Sequence, residues 1–158
     1  MTELPKLSGR WQNEEIQGIN DIFIHNKICC GALRYSVTID GKLYAPEIIG
    51  DGVGLSTVHG STAYFRSITR GIFRTGVGLA FSNATAESSH LVLPETSVID
   101  LEILRGPGLL IADNSPVTEI PEGEKVQLFL SQEKALITGL EGFMCPECRR
   151  LRHRRNSC

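Results

Sequence analysis

From Ile19 onward the chain is a succession of short apolar stretches, cut by turn signals too closely spaced to leave room for helices. Val98–Leu104, Leu109–Ile111, Val117–Ile120, Val126–Leu130 and Ala135–Thr138 read as strands. Gly106-Pro107-Gly108, Asn114-Ser115-Pro116 and Pro121-Glu122-Gly123 separate them. Gly and Pro at such points fix or free the backbone for turns. Many short strands with little helix predict an all-β sandwich or barrel. Upstream, Ile19–Ile24 is a strand candidate interrupted by the polar pair Asn20-Asp21, and Gly71–Phe81 and Leu91–Pro94 follow later. In Cys30–Leu43, Leu33, Tyr35, Val37 and Ile39 alternate up to Asp40-Gly41, the dipeptide of a primed hairpin turn. Cys29 and Cys30 read as small buried residues of a strand. Residues 1–18 are polar, with Trp11 and Ile16 as the main apolar anchors, and read as an arm or short helix. The expected division is an arm over 1–18, a β domain over 19–140 and a basic tail over 141–158.

The segment from Gly50 to Tyr64, GDGVGLSTVHGSTAY, carries the chemistry. Glycines allow backbone to approach a ligand closely and to take positive φ. Asp51 sets a carboxylate between two of them. Ser61 and Thr62 would place hydroxyls and free N–H groups at the start of a short helix, where polar ligand edges bind. Tyr64 offers a ring to a base. Together these suit a nucleotide, while a strand, a glycine turn and a capped helix without ligand use the same residues. The spacing is neither a P-loop, since no Lys follows the second glycine, nor a dinucleotide fingerprint.

This block resembles the second signature of the NAD kinase family, a Gly-Asp-Gly followed by Ser-Thr-x-x-Gly-Ser-Thr-Ala-Tyr. Gly18-Ile19-Asn20-Asp21-Ile22 is similar to the family's Asn-Glu strand motif, and His90-Leu91-Val92-Leu93-Pro94 to its Pro-Leu-Val-Leu-Pro strand. Ile111-Ala112-Asp113, Ile120 to Val126, and Ser131 through Ile137 resemble its late Asp-Gly, Pro-Gly-Asp-x-Val and Ser pattern. The resemblance spans roughly Ile16 to Thr138. It implies the family's C-terminal domain, a β-sandwich with a short helix after the Gly-rich motif, which binds NAD. By resemblance Asn20 holds the adenine or its ribose, and Asp21 stands where the family usually has Glu. Asp51 contacts the nucleotide near a subunit boundary. Thr62, Ala63 and Tyr64 line the adenine and ribose pocket, with Ser67 a nearby polar contact. As plain structure, Asn20-Asp21 would cap a turn, Tyr64 would be core, and Ser67 would bond its own helix backbone. His59 falls where the family has Ser or Thr and could meet the adenine edge. Arg70 falls where a Gly-Gly pair continues the helix and could meet a phosphate. Both also read as solvated side chains.

Phosphoryl transfer needs phosphate positioning, a cation and a group that orients the acceptor hydroxyl. In the family these come mainly from an N-terminal α/β half bearing Gly-Gly-Asp-Gly, and no Gly-Gly-Asp occurs here. The expectation is therefore an NAD-binding domain that is inactive alone. A complete enzyme would transfer a phosphoryl group from ATP or polyphosphate, with Mg, to NAD and give NADP. The partners implied are NAD and either further copies of the chain in a homo-oligomer or a separate N-terminal kinase half. A stand-alone nucleotide-binding role is the alternative.

The tail has a logic of its own. Cys145, Cys148, His153 and Cys158 follow C-x₂-C-x₄-H-x₄-C, four ligands that suit tetrahedral zinc. The spacing resembles a retroviral-type zinc knuckle, a nucleic-acid-binding module. Pro146 and Arg152 replace the aromatic and glycine usual there, which argues against base recognition. A disordered basic tail is the simpler reading. Five Arg and one Glu lie between Cys145 and Cys158, leaving eleven basic against seventeen acidic residues elsewhere. The chain as a whole is at −2, which excludes a global basic field for nucleic acid. No apolar run reaches the ~18 residues of a membrane span. Met1 to Pro5 lacks a signal-peptide start. A cytoplasmic protein with reduced thiols is the expectation.

Overall fold

Period-two alternation builds the core. Leu33, Tyr35 and Val37, then Ile99, Leu101 and Ile103, then Val126 and Leu128 are each fully buried at every second residue. In the computed structural model, which describes residues 1–139, the strands follow in order: β1 Thr2–Trp11, β2 Glu14–Gly18, β3 Asp21–Asn26, β4 Leu33–Ile39, β5 Lys42–Gly50 and β6 Gly52–Ser56. A 3₁₀ turn at Gly60–Thr62 leads into the helix α1, Tyr64–Thr69. Then come β7 Val77–Ser82, β8 His90–Leu93, β9 Val98–Arg105, β10 Gly108–Ala112, β11 Thr118–Ile120 and β12 Lys125–Ile137. Two six-stranded sheets result, ordered β2-β1-β12-β9-β4-β5 and β11-β10-β3-β6-β7-β8. Neighbouring strands in both run antiparallel. The fold is thus the mainly β sandwich, with a short helix after the Gly-rich motif, that the sequence predicts.

The inner face of β4, β9 and β12 packs against Ile22 and Ile24 of β3, Val53 and Leu55 of β6, and Val77, Leu79 and Phe81 of β7. Tyr35 crosses this core. Its hydroxyl donates to the Gly52 carbonyl at 3.4 Å, and burial pushes the phenol pKa up. The outer face of the second sheet carries another layer, in which Phe23, Phe65, Phe73 and Ala80 form a second apolar cluster under α1. Glycines make room for it. A Cβ on Gly54 would sit 2.3 Å from Phe23 Cγ, and one on Gly78 2.3 Å from Phe73 Cε1.

Three sequence expectations are corrected. Residues 1–18 are neither arm nor short helix: β1 and β2 belong to the first sheet, and Leu7, opposite Leu130, is fully buried. They read as polar because few of their side chains face inward, and Gly9 makes room for Leu128, Ile16 and Ile22. Val126–Leu130 and Ala135–Thr138 are parts of one long strand, β12. The polar break Ser131–Lys134 falls where β12 has run past β9 and pairs with β1. Cys29 and Cys30 are exposed in the turn between β3 and β4. That turn is closed by Asn26, whose Nδ2 donates to the carbonyls of Ile28 and Gly31 at 2.6 Å each. The hairpin turn at Asp40-Gly41 forms as the dipeptide predicts, with φ of 50° and 75°.

Candidate functional site

Strand alternation also sets the site. Ile22 and Ile24 point into the core, so Asp21, Phe23 and His25 share the outer face of β3. A cleft of about 390 Å³ opens on that face, lined by Asn20, Asp21, Phe23, His25, Ala63, Tyr64, Ile111, Asp113 and Asn114. Its aromatic wall is continuous. Tyr64 meets Phe23 edge-on at 4.8 Å between centroids and lies 5.5 Å from His25. Phe23 is buried beneath, whereas Tyr64 is 38% exposed and presents its ring to the cleft.

The Asn20–Asp21 corner is fixed from two sides. On one, Thr57 Oγ1 donates to the Ile19 carbonyl at 2.7 Å and the Thr57 N–H to the Asn20 carbonyl at 2.9 Å. Gly60 lies so close that a Cβ there would be 2.0 Å from the Asn20 carbonyl oxygen. On the other side, the Asp113 carboxylate accepts the N–H groups of Ile19, Asn20 and Asp21 at 2.7, 2.9 and 3.1 Å. Consecutive amides cradling one carboxylate are a strong, charge-assisted arrangement. Asp113 itself holds a positive φ of 48°.

With the backbone held, the side chains stay available. No hydrogen bond engages the side chains of Asn20, Asp21, His25 or Tyr64 within the described residues. Burial, and then the Asp113 carboxylate beside it, pushes the Asp21 carboxyl up to about 6. Burial lowers the pKa of His25, favouring neutral imidazole. Ser56, directly across from Asp21 on β6, is buried with its hydroxyl lacking a partner among the described residues. The arrangement offers an aromatic face, an amide, a carboxyl and an imidazole to one planar, polar-edged ligand.

Of the residues singled out in the sequence, Asn20, Asp21, Ala63 and Tyr64 meet in this cleft. Asp51, His59, Thr62 and Ser67 are not part of its lining. Asp51 lies beyond the far end of β3, exposed, and accepts a hydrogen bond from Asn83 Nδ2 at 3.0 Å. Half-buried His59 precedes the 3₁₀ turn, and Thr62 Oγ1 approaches its carbonyl at 3.4 Å. Ser67 Oγ donates to the Tyr64 carbonyl at 2.7 Å, within its own helix. Ser61 is committed to protein as well: its hydroxyl bonds the carbonyls of Val58 and Phe73. Arg70 caps α1 in a left-handed conformation and is exposed. The zinc set Cys145, Cys148, His153 and Cys158 lies outside the described residues. Among the described ones, no three His, Cys, Asp or Glu side chains converge to hold a metal. Of the other lining residues, Ile111 and Asp113 entered the sequence reading only as part of a family motif, and Phe23, His25 and Asn114 were given no role in a site.

Comparison with solved structures places this fold among NAD kinases. Yeast NADH kinase complexed with NADH is similar, with a TM-score of 0.74 and 24% identity, over 82% of this chain and 41% of that one. An NAD kinase from Archaeoglobus fulgidus in complex with ATP is similar with a TM-score of 0.70 and 16% identity, over 85% and 53%. The chain thus spans about half, or less, of the length of these two enzymes. No family model and no curated protein matches the sequence.

Proposed function

We propose that the cleft binds a dinucleotide of the NAD type, and that the chain serves as the NAD-binding part of an NAD kinase-like phosphotransferase. One observation carries this reading: a rigidly held corner turns the free side chains of Asn20 and Asp21 toward an aromatic wall of Tyr64, Phe23 and His25. Tyr64 stacks on a base, the Asn20 amide reads its polar edge, and Asp21 accepts a ribose hydroxyl. The fold shared with one kinase complexed with NADH and another with ATP supports a nucleotide as the ligand class.

Phosphoryl transfer from ATP or polyphosphate to NAD would need more than this cleft offers. No Lys or Arg is among its lining residues, no metal cluster forms among the described residues, and the sequence has no Gly-Gly-Asp. In this reading, phosphates and magnesium are held by an additional kinase half, or by another copy of the chain in an oligomer. Calorimetric titration of the purified chain with NAD tests the binding step. Saturable binding weakened on the order of tenfold by both Tyr64→Ala and Asn20→Ala is the expected result. A folded chain that takes up no NAD at millimolar concentration would sink the proposal.

A further inference from the structure

Cys29 and Cys30 stand next to each other in the turn between β3 and β4, and both are exposed. The Gly31 N–H donates to the Ile28 carbonyl at 3.0 Å, which makes the two cysteines the central residues of a β-turn. The Asn26 side chain braces both ends of it: Nδ2 donates to the carbonyls of Ile28 and Gly31, and Oδ1 accepts the Ile28 N–H at 3.3 Å. The base of the turn is tied to three other segments. The Asn26 N–H donates to the Asp51 carbonyl at 2.8 Å, the Lys27 N–H to the Pro107 carbonyl at 3.2 Å, and the Lys27 ammonium pairs with Glu119 of β11. Neither thiol has a partner among the described residues, and neither lines the cleft. A braced backbone thus presents two thiols to solvent, with Cα atoms ~3.8 Å apart as in any neighbouring pair.

A set of two thiolates is selective. Among the described residues no third His, Cys, Asp or Glu converges on them. Zinc fills four positions, and calcium and magnesium take oxygen ligands. Soft thiolate sulfur selects Cu(I), a closed-shell ion that is stable with two sulfur ligands. We propose that Cys29 and Cys30 form a two-thiolate site for Cu(I), separate from the nucleotide cleft and independent of it. Binding is ligand exchange with no redox change: two Cu–S bonds form, the two S–H groups release their protons to solvent, and copper enters and stays as Cu(I). Because the turn is exposed, an incoming thiolate reaches the ion, and the site gives it up by the same exchange.

Cys145, Cys148 and Cys158 also offer sulfur, so the test begins with the full chain carrying Cys145→Ser, Cys148→Ser and Cys158→Ser. Without oxygen, it is titrated against the coloured complex of Cu(I) with bicinchoninate. The expected result is withdrawal of about one Cu(I) per chain, lost on adding either Cys29→Ser or Cys30→Ser and not displaced by excess Zn(II). Should a substituted chain fail to fold, the unaltered chain is loaded with Cu(I) and treated with iodoacetamide. Bound copper must then protect both Cys29 and Cys30 by more than about tenfold relative to the copper-free chain, read by mass on the tryptic peptide Ile28–Arg34. No uptake by the folded triple variant, uptake that survives loss of either cysteine, displacement by zinc, or alkylation unchanged by copper overturns the proposal. None of these outcomes bears on the nucleotide reading, which NAD titration tests separately.

Discussion

Asp113 clasps the Asp21 backbone with both its own N–H and its carboxylate. The Asp113 N–H donates to the Asp21 carbonyl at 3.1 Å, and Asp113 Oδ1 accepts the Asp21 N–H at 3.1 Å. Two carboxylic acids are thereby held side by side, one committed to three amides and the other facing the cleft. Removing the committed one leaves half-buried N–H groups without an acceptor. Asp113→Ala should therefore cost about 2–4 kcal/mol, measured by urea unfolding, because bonds to a charged acceptor are worth about 1.5–3 kcal/mol each and do not add fully. Asp113→Asn keeps one acceptor oxygen and should cost roughly half as much. A loss below about 0.5 kcal/mol for the Ala variant would show that the clasp is not structural.

Gly60 is the counterpart on the other side of the corner. A methyl group there would lie 2.0 Å from the Asn20 carbonyl oxygen, and that atom belongs to backbone held in place by Thr57. Gly60→Ala should destabilise by about 1–3 kcal/mol, the usual cost of overpacking. It should also weaken nucleotide binding more than that loss explains, because Asn20 must shift. Thermal unfolding and titration on the same sample separate the two effects. The variant binding as the unaltered chain does would mean that the corner need not be rigid.

The raised pKa of Asp21 has a sign that can be measured. Its ordinary value is 3.8 and its folded value about 6, so the folded state binds the proton more tightly than the unfolded state does. Stability linked to this group is present below about pH 4 and is lost as pH rises toward 6. His25 acts in the opposite sense: burial lowers its pKa, so its contribution is lost as pH falls below its ordinary 6.5. Comparing the unaltered chain with Asp21→Asn cancels the His25 part. The variant should match it near pH 4 and be more stable above pH 6.5, by about 1 kcal/mol, since Asp21 is only half-buried and solvent screens much of the effect. Parallel stability curves from pH 4 to 7 would show that Asp21 is not perturbed.

Alternation made most of the sandwich readable. Leu33-x-Tyr35-x-Val37 and Val98–Leu104 announce their strands, and Asp40-Gly41 announces its turn. What stayed hidden depends on partners distant in sequence. Thr2–Trp11 looks polar because only a few of its positions face the core, and only pairing with β12 shows that they do. The glycines of the Gly-rich block suggest room for a ligand, yet Gly54 and Gly60 make room for Phe23 and for the Asn20 backbone. His25 was accessible in principle: once Ile22 and Ile24 face inward, Asp21, Phe23 and His25 must share the opposite face. The clasp of Asp113 on Ile19–Asp21 joins residues more than ninety apart, and no local pattern encodes it.

The thiols of Cys29 and Cys30 offer a direct check on the β3–β4 turn. Both are exposed, and the turn carrying them is closed by Asn26 and not by packing. Iodoacetamide applied to the folded chain should label both as readily as in denaturant, read by mass on the tryptic peptide Ile28–Arg34. Protection of either in the folded chain by more than about tenfold would contradict an open turn.

Phe23 and Tyr64 touch edge-to-face at 4.8 Å but do different work. Phe23 is 1% exposed and sits under α1 with Phe65 and Phe73, so Phe23→Ala should cost about 3–5 kcal/mol as a buried cavity. Tyr64 is 38% exposed, and its edge contact with Phe23 is worth about 0.5–1.5 kcal/mol, so Tyr64→Ala should lower stability by no more than that. Affinity should divide the other way. Tyr64→Ala should lose nucleotide binding while unfolding close to the unaltered midpoint, and Phe23→Leu, which keeps much of the volume, should lose stability while retaining most of the binding. Denaturant midpoints and NAD titrations on the two variants make the comparison. If Tyr64→Ala binds NAD undiminished, its ring belongs to the fold alone, and the ligand must be held by the Asn20–Asp21 corner without a stacking partner.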